Sequence, residues 1–282
     1  MSARTFKTDL PVMLPAQVKS AGRFSIRLEP WHGLLLLMIC ISSATVGFAQ
    51  SGPVKAPIFE VLIRWMPLLL TGFVFNLVIS FLAMGIGTAV GAALGLGQIS
   101  PNPWLRKFCW FITQFFRNSP WLVLLFFAMF LLPFQFDIGI AKIPLPDWLK
   151  ATIGLSLPVM ANVSEIVRGA VNSLPSGQWE AAESLAYTRR QTLWLIILPQ
   201  CVKRMLPPWM NLYSILTMAT VLASIVGVSE VMTLTGQALA AEGGRSDLLA
   251  PFYSFVLLIF FIYCYPIARW TVYLEKKFAV KG

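Results

Sequence analysis

Several runs of apolar residues in this chain are long enough to cross a lipid bilayer. A transmembrane helix needs about 20 consecutive, predominantly apolar residues, and residues 66–97 form one uncharged run that exceeds this length. Of the 282 residues, 57% are hydrophobic and only 12% are charged, which lies outside the range of ordinary soluble domains. The sequence therefore predicts an all-α polytopic membrane protein.

We predict about six transmembrane helices, preceded by a polar tail. The tail covers residues 1–30, and the first helix lies within 31–50, where it is either retained as a signal anchor or cleaved after Ala49. A long membrane domain follows over residues 60–276. Its five predicted spans are 66–97, 120–133, 151–172, 207–232 and a last run that begins at Pro251. The segments between them are a polar connection at 98–119 and outer loops at 134–150 and 233–250.

The basic residues are distributed unevenly between the two sides that this arrangement defines. Seventeen of the 22 Lys and Arg residues fall in the tail, in the segments after the second and fourth spans, or at the C-terminal end. Cytoplasmic segments of membrane proteins carry the excess of Lys and Arg, so we place both termini in the cytoplasm. The formal charge of +10 does not indicate nucleic-acid binding, which would need the basic residues on one surface.

The residue types that serve most enzymes and metal sites are scattered in this sequence. The four cysteines form no CxxC pair, and His32, at the start of the first apolar run, is the only histidine. No phosphate-binding loop of the Walker type occurs, so any ATP must be hydrolysed by another chain. We therefore predict no catalytic site, no metal site and no cofactor, and we do not expect an enzyme.

A stripe of small residues lies within the second predicted span. Gly87, Gly91 and Gly95 are spaced four residues apart and share one helix face. In a membrane helix, such a stripe lets another backbone approach closely. The spacing therefore predicts helix packing rather than a nucleotide site.

One segment, residues 176–200, is amphipathic and charged although both of its flanks are long and apolar. Pro175 precedes a first helix that has carboxylates near its N-terminus, where the helix dipole favours them. Thr188 followed by Gln191 fits a capping box and marks the start of a second helix, which we expect to end at Pro199. The segment therefore predicts a helix-turn-helix hairpin outside the membrane.

Seven residues of this hairpin occur in the order and spacing of a known motif. They are Glu180, Ala181, Ala182, Ala186, Ile196, Leu198 and Pro199. This pattern resembles the EAA motif of ABC-importer permeases, from which only Ala186 departs, because the family has glycine there. The stretches FRNSP at 116–120, EIVRG at 165–169 and GQWEAA at 177–182 are similar to the polar amino-acid uptake subfamily, which includes histidine, glutamine and glutamate permeases.

This resemblance extends over residues 66–275 and implies a role for the hairpin. In such permeases it is a coupling element that docks into a groove on a separate ATP-hydrolysing subunit and transmits motion to the membrane helices. The implied coupling residues are Gly177, Glu180, Ala181, Ala182, Ala186, Ile196, Leu198 and Pro199. One further departure is Met218, where the family usually has lysine.

The resemblance also implies a set of partners and a location. The partners would be two ATP-binding cassette subunits, a second permease subunit that is identical or paralogous, and an extracytoplasmic substrate-binding protein. The location would be the inner membrane of a bacterium, with multiple spans. No nucleic acid is among the implied partners.

Four polar residues inside the predicted spans are candidates for a transport path. They are Asn162, Glu165, Arg168 and Asn211. Glu165 and Arg168 share a helix face, and a charged group costs about 2.5 to 3.5 kcal/mol at a bilayer centre, so both should face protein or water. Alternatively, both lie near the cytoplasmic interface and extend their charged ends into water.

A secondary transporter driven by an ion gradient is the main alternative to an ATP-driven importer. Glu165 would then belong to a proton or sodium relay, as intramembrane carboxylates do in such proteins. This alternative explains the spans but not the charged hairpin. The resemblance therefore favours the ATP-driven importer of a polar amino acid or a related small solute.

Overall fold

The computed structural model describes residues 56–137 and 142–278, and this part of the chain is mostly helical. The tail predicted at 1–30 and the first helix predicted at 31–50 lie outside the described residues. The elements in chain order are α1 (Ile58–Gln98), α2 (Pro103–Arg117), α3 (Trp121–Leu131), β1 (Gln135–Asp137), β2 (Lys142–Pro144), α4 (Asp147–Asn172), α5 (Gly177–Ser184), α6 (Arg189–Gln191), α7 (Leu198–Ala219), α8 (Val231–Ala241) and α9 (Leu249–Phe278).

Three shorter elements complete the helices, and the two strands pair with each other. A π-helical segment, Thr192–Ile197, joins α6 to α7. The 3₁₀ turn Thr220–Ser224 follows α7, and a second one, Ser246–Leu248, precedes α9. Strands β1 and β2 form a small antiparallel hairpin. It lies within the outer loop predicted at 134–150, so the predicted helical class needs only this minor addition.

Two of the described helical segments are long and apolar enough to cross a membrane. They are α1 and the segment Ser246–Phe278, which contains α9. A third span results if α2 and α3, which are bent by 104° at a short break, are counted together. Helix α4 has 26 residues but includes four charged ones. The predicted count of six therefore goes beyond what length and composition establish for the described residues.

The connection predicted at 98–119 is wrong, because most of it is helix α2. Asn102 caps this helix by accepting a hydrogen bond from the backbone N–H of Trp104 at 3.0 Å. Pro103 follows as the first helical residue, where its fixed φ suits a helix start. The polar residues that suggested a loop are those of a helix with one polar side.

The fifth span, predicted over 207–232, is also wrong, because helix α7 ends and helix α8 begins within it. The outer loop predicted at 233–250 accordingly contains most of α8. Glu230 explains the break, since its carboxylate caps α8 by accepting two backbone N–H bonds at 2.8 and 3.1 Å. Asn76 of α1 donates to the other carboxylate oxygen at 2.8 Å, which holds this cap in the buried interior.

The second helix of the hairpin does not end at Pro199, as the sequence predicted. Helix α6 continues through the π-helical segment into α7, which contains Pro199 near its start. A proline removes one backbone hydrogen bond from a helix. The wider π-helical turn just before it accommodates this loss without ending the helix.

Helices α1 and α4 pack together along the stripe of glycines. A Cβ atom added at Gly91 would lie 2.5 Å from the carbonyl oxygen of Met160, and one added at Gly95 would lie 2.7 Å from Cβ of Val167. These distances leave no room for a side chain, so the predicted packing role is confirmed. The buried core beside this contact includes Ile79, Leu125, Leu155, Val159 and Leu216.

Candidate functional site

The hairpin between α4 and α7 consists of α5, a tight turn and α6. Ala182 is buried, whereas Glu180 and Ala181 are exposed. Gly177 lies in open space, where an added Cβ atom would meet nothing within 4 Å. At the tip, Leu185 exposes 73% of its surface. One side of the hairpin is therefore fixed by packing, and the other is free to contact another molecule.

The turn of the hairpin closes through a Schellman motif. The N–H of Tyr187 donates to the carbonyl oxygen of Ala182 at 3.1 Å, and the N–H of Ala186 donates to that of Glu183 at 2.9 Å. This motif places one residue in the left-handed region, and here it is Ala186, with φ of 58°. The family glycine that this chain lacks would occupy that position.

The second helix of the hairpin begins with the predicted capping box, which is confirmed. The side chain of Thr188 accepts the N–H of Gln191 at 3.4 Å, and the side chain of Gln191 accepts the N–H of Thr188 at 2.9 Å. Both residues are exposed, so the box acts locally. It sets the direction in which α6 leaves the turn.

The C-terminal half of the motif anchors the hairpin. Ile196 and Leu198 are half-buried and pack against a buried cluster at the end of α4, while Pro199 is exposed. That cluster contains Ala170, Val171, Leu174, Ile197 and Cys201. The motif residues therefore divide into an exposed group on α5 and a packed group at the base.

Two polar contacts connect the hairpin base to its neighbours. Gln178 of α5 donates to the side-chain oxygen of Gln200 at 3.0 Å. Arg204 of α7 donates to both the carbonyl oxygen and the hydroxyl of Ser173, at 3.0 and 2.9 Å. Because Ser173 follows the last residue of α4, these bonds join α5, α7 and α4 into one packed unit.

The four candidate residues for a transport path line a single groove. Asn162, Glu165 and Arg168 come from α4, and Asn211 faces them from α7. The groove has a volume of about 570 Å³ and also contains Arg117. The structure thus brings together residues that the sequence could only propose separately.

Glu165 is the centre of the polar groups in this groove. Its side chain is 12% exposed and accepts hydrogen bonds from Arg168 at 2.6 and 3.2 Å. Arg117 lies 3.4 Å from the same carboxylate, and Gln98 donates to it at 3.3 Å. The carboxylate therefore faces protein and connects α1, α2 and α4.

The first of the comparisons with known proteins concerns the family. Residues 85–280 match the family described as the binding-protein-dependent transport system inner membrane component. This match covers more than half of the chain. The chain belongs to this family.

Amino-acid permeases are among the relatives of this family member. The chain is 36% identical over 217 residues to the probable amino-acid ABC transporter permease protein YckA of Bacillus subtilis, covering 77% of this chain and 92% of YckA. It is 32% identical over 207 residues to the inner membrane amino-acid ABC transporter permease protein YhdY of Escherichia coli. That match covers 73% of this chain and 55% of YhdY, so the chain spans about half the length of that relative.

Solved structures of ABC transporters share the fold of this permease-family chain. A crystal structure of an amino acid ABC transporter with histidines has a TM-score of 0.67, covering 79% of this chain and 100% of that one at 20% identity. An inward-facing structure of the MetNI methionine ABC transporter has a TM-score of 0.57, covering 80% and 100%, also at 20% identity. At this identity, the likeness establishes the fold.

The family assignment confirms the predicted resemblance to ABC-importer permeases, and none of these comparisons favours a secondary transporter. The site contains residues that the sequence reasoning did not select. Gln98 donates to Ser164 at 2.8 Å, and Ser164 lies 3.0 Å from Thr113, so this buried network supports Glu165 from behind. Arg117 had a signal, since it belongs to the FRNSP stretch.

Proposed function

We propose that this chain is the permease subunit of an ATP-driven importer, which moves a polar amino acid or a related small solute across the cytoplasmic membrane of a bacterium. The observation that carries the proposal is the hairpin at 176–200, whose base is packed while Glu180 and Ala181 are exposed. A firmly anchored, open surface suits the docking of another protein. The relatives named as amino-acid permeases support the class of solute.

The hairpin would act as the coupling element between ATP hydrolysis and the membrane helices. A displacement of α5 would reach α7 through the Gln178–Gln200 bond, and α4 through the Arg204–Ser173 bonds. Close-packed elements transmit such shifts because their interiors compress little. An ATPase that prefers one spacing of two hairpins would thereby shift the population between inward-open and outward-open states.

The proposed assembly contains several chains in one membrane. Two ATP-binding cassette subunits would bind the hairpins in the cytoplasm, a second permease subunit would complete the path, and a substrate-binding protein would deliver the solute outside. The chain would span the membrane about six times with both termini in the cytoplasm. The charge distribution supports this orientation.

The groove lined by Asn162, Glu165, Arg168 and Asn211 is the proposed transport path. Its amides and charged groups offer both donors and acceptors, which a zwitterionic solute requires. Glu165 is engaged by two guanidinium groups, so it would position them rather than bind an amine directly. A solute carboxylate would then meet the free donors of Arg168 or Arg117.

The test is uptake by proteoliposomes that contain the full permease with its ATPase, supplied with the binding protein. We expect radiolabelled amino acid to accumulate only when ATP can be hydrolysed, and to be insensitive to collapse of the proton gradient by an uncoupler. Uptake that persists without the ATPase and disappears with the uncoupler would overturn the proposal in favour of a secondary transporter.

A further inference from the structure

Helix α2 has a face that rests on the protein and covers little of the helix. Within Pro103–Arg117 only Cys109 and Thr113 are buried, and they are four residues apart on one side. Gln98 donates to the hydroxyl of Thr113 at 3.2 Å, and a Cβ atom added at Gly97 would lie within 3 Å of the Cys109 sulfur. Helix α2 therefore lies across the last turn of α1.

A stripe of exposed aromatic residues follows a second face of α2. Trp104, Phe108, Phe111 and Phe115 are spaced by four, three and four residues, which places them on one side of a helix. Their exposed fractions are 83%, 62%, 63% and 56%. An aromatic surface of this length is unfavourable in water, so it must be covered by an apolar environment.

The remaining surface of α2 is basic. Arg106 and Lys107 are exposed on the first turns of the helix. The sequence contains no Asp or Glu between Glu60 and Asp137, so no carboxylate from this part of the chain offsets their charge. A second copy of the chain docked on this helix would bring the same positive charges against them, which argues for an anionic partner instead.

The angle between α2 and α3 indicates what covers the stripe. Helix α3 consists of apolar residues, as expected for a segment within the bilayer, and α2 is bent from it by 104°. A helix nearly perpendicular to a membrane-crossing segment lies in the plane of the membrane surface. Amphipathic helices in that position insert aromatic residues about 5–10 Å into the headgroup and acyl boundary and place Lys and Arg near lipid phosphates.

We infer that α2 is an interfacial helix whose aromatic stripe is buried in the cytoplasmic leaflet and whose Arg106 and Lys107 bind the phosphates of anionic phospholipids. The inference depends on the membrane location of the chain and not on the solute or the ATPase. A basic residue near an anionic membrane surface contributes about 1 kcal/mol, which corresponds to roughly a fivefold change in affinity per residue.

The depth of α2 is tested by spin labels in the full chain, reconstituted in phosphatidylcholine vesicles that contain about one quarter phosphatidylglycerol. Phe108→Cys, Phe111→Cys and Lys107→Cys are each labelled in a variant without the native cysteines. We expect labels at 108 and 111 to collide with oxygen and the label at 107 with a water-soluble nickel chelate. Labels at 108 and 111 that reach the nickel chelate, or that are shielded from both reagents by another chain, would overturn the inference.

Lipid selectivity is tested by the association of spin-labelled phosphatidylglycerol, relative to phosphatidylcholine, with the full chain. We expect Arg106→Gln with Lys107→Gln to lower the relative affinity at least about fivefold, since two basic contacts are lost. Lys203→Gln removes another exposed lysine and serves as the matched control. An unchanged preference in the double variant, or an equal loss in the control, would contradict specific binding by α2.

Discussion

The backbone N–H of Tyr187 donates to the carbonyl oxygen of Ala182 across 3.1 Å, and this bond closes helix α5 of the hairpin. The chain can make it only if Ala186 turns into the left-handed region, where its φ is 58°. An L-residue with a Cβ atom is strained there by about 1–2 kcal/mol, whereas glycine is not. The hairpin of this chain thus keeps the family turn at an energetic cost.

Replacing Ala186 by glycine is therefore expected to stabilise the hairpin by about 1 kcal/mol. The measurement is hydrogen–deuterium exchange of peptides that cover residues 177–191 in the purified permease, which should become about fivefold slower. Ala181→Gly is the control, since it places glycine inside the exposed face of α5 and should destabilise the helix by up to about 1 kcal/mol. Faster exchange in Ala186→Gly would show that the turn is not strained.

Reversing the charge of Glu180 should disrupt the proposed contact with the ATPase. An interfacial carboxylate usually has a cationic or N–H partner, and opposing it costs about 2–5 kcal/mol. We expect Glu180→Lys to insert at normal levels but to lose co-purification of the ATPase and ATP-dependent uptake. Glu275→Lys, an exposed reversal near the end of α9, should leave both unchanged. Normal uptake by Glu180→Lys with the ATPase bound would reject the role of this residue.

A methyl group at Gly91 should force α1 and α4 apart. The added Cβ atom would lie 2.5 Å from the Met160 carbonyl oxygen, and overpacking of this kind typically costs about 1–3 kcal/mol. We expect Gly91→Ala to lower the thermal unfolding temperature of the detergent-solubilised permease. Gly85→Ala, on the same helix, meets nothing within 4 Å and should not lower it. Equal melting temperatures for the two variants would contradict the close packing.

The structural and transport roles of Glu165 can be separated with a double variant. Glu165→Gln leaves Arg117 and Arg168 close together without their carboxylate and should cost about 2 kcal/mol of stability. Adding Arg117→Gln removes one of the two repelling charges and should restore part of that stability.

Uptake by the same double variant decides between the two roles. If the groove is the transport path, the restored stability should not restore amino-acid uptake. Recovery of both melting temperature and uptake would instead assign Glu165 a purely structural role. Arg168→Lys, which keeps the charge but loses the two-pronged contact, should give an intermediate melting temperature.

The proposed topology predicts which exposed positions can be labelled from outside the cell. In a variant without native cysteines, Ala241→Cys at the end of α8 should react with an impermeant thiol reagent in intact cells. Ser184→Cys in the hairpin should react only after the membrane is opened. Both positions are exposed in the structure, so access and not burial decides the result. Labelling of position 184 in intact cells would invert the proposed orientation.

Features that depend on a few neighbouring residues could be predicted from the sequence. The capping box of Thr188 and Gln191 is one, because its bonds span three residues. The glycine stripe is another, because a spacing of four places three glycines on one face of any helix. The spacing of the EAA motif and the long apolar runs likewise follow from the order of residues, and they led to the correct family.

Features that depend on which helices meet were decided only by the tertiary structure. The sequence left two conformations open for Ala186, since the cost of a left-handed alanine must be weighed against the hydrogen bonds of the turn. The span predicted over 207–232 missed its break because the partner that holds Glu230 in the interior is Asn76, 154 residues away. A buried carboxylate can interrupt an apolar run only where folding supplies its donors, and no local pattern specifies them.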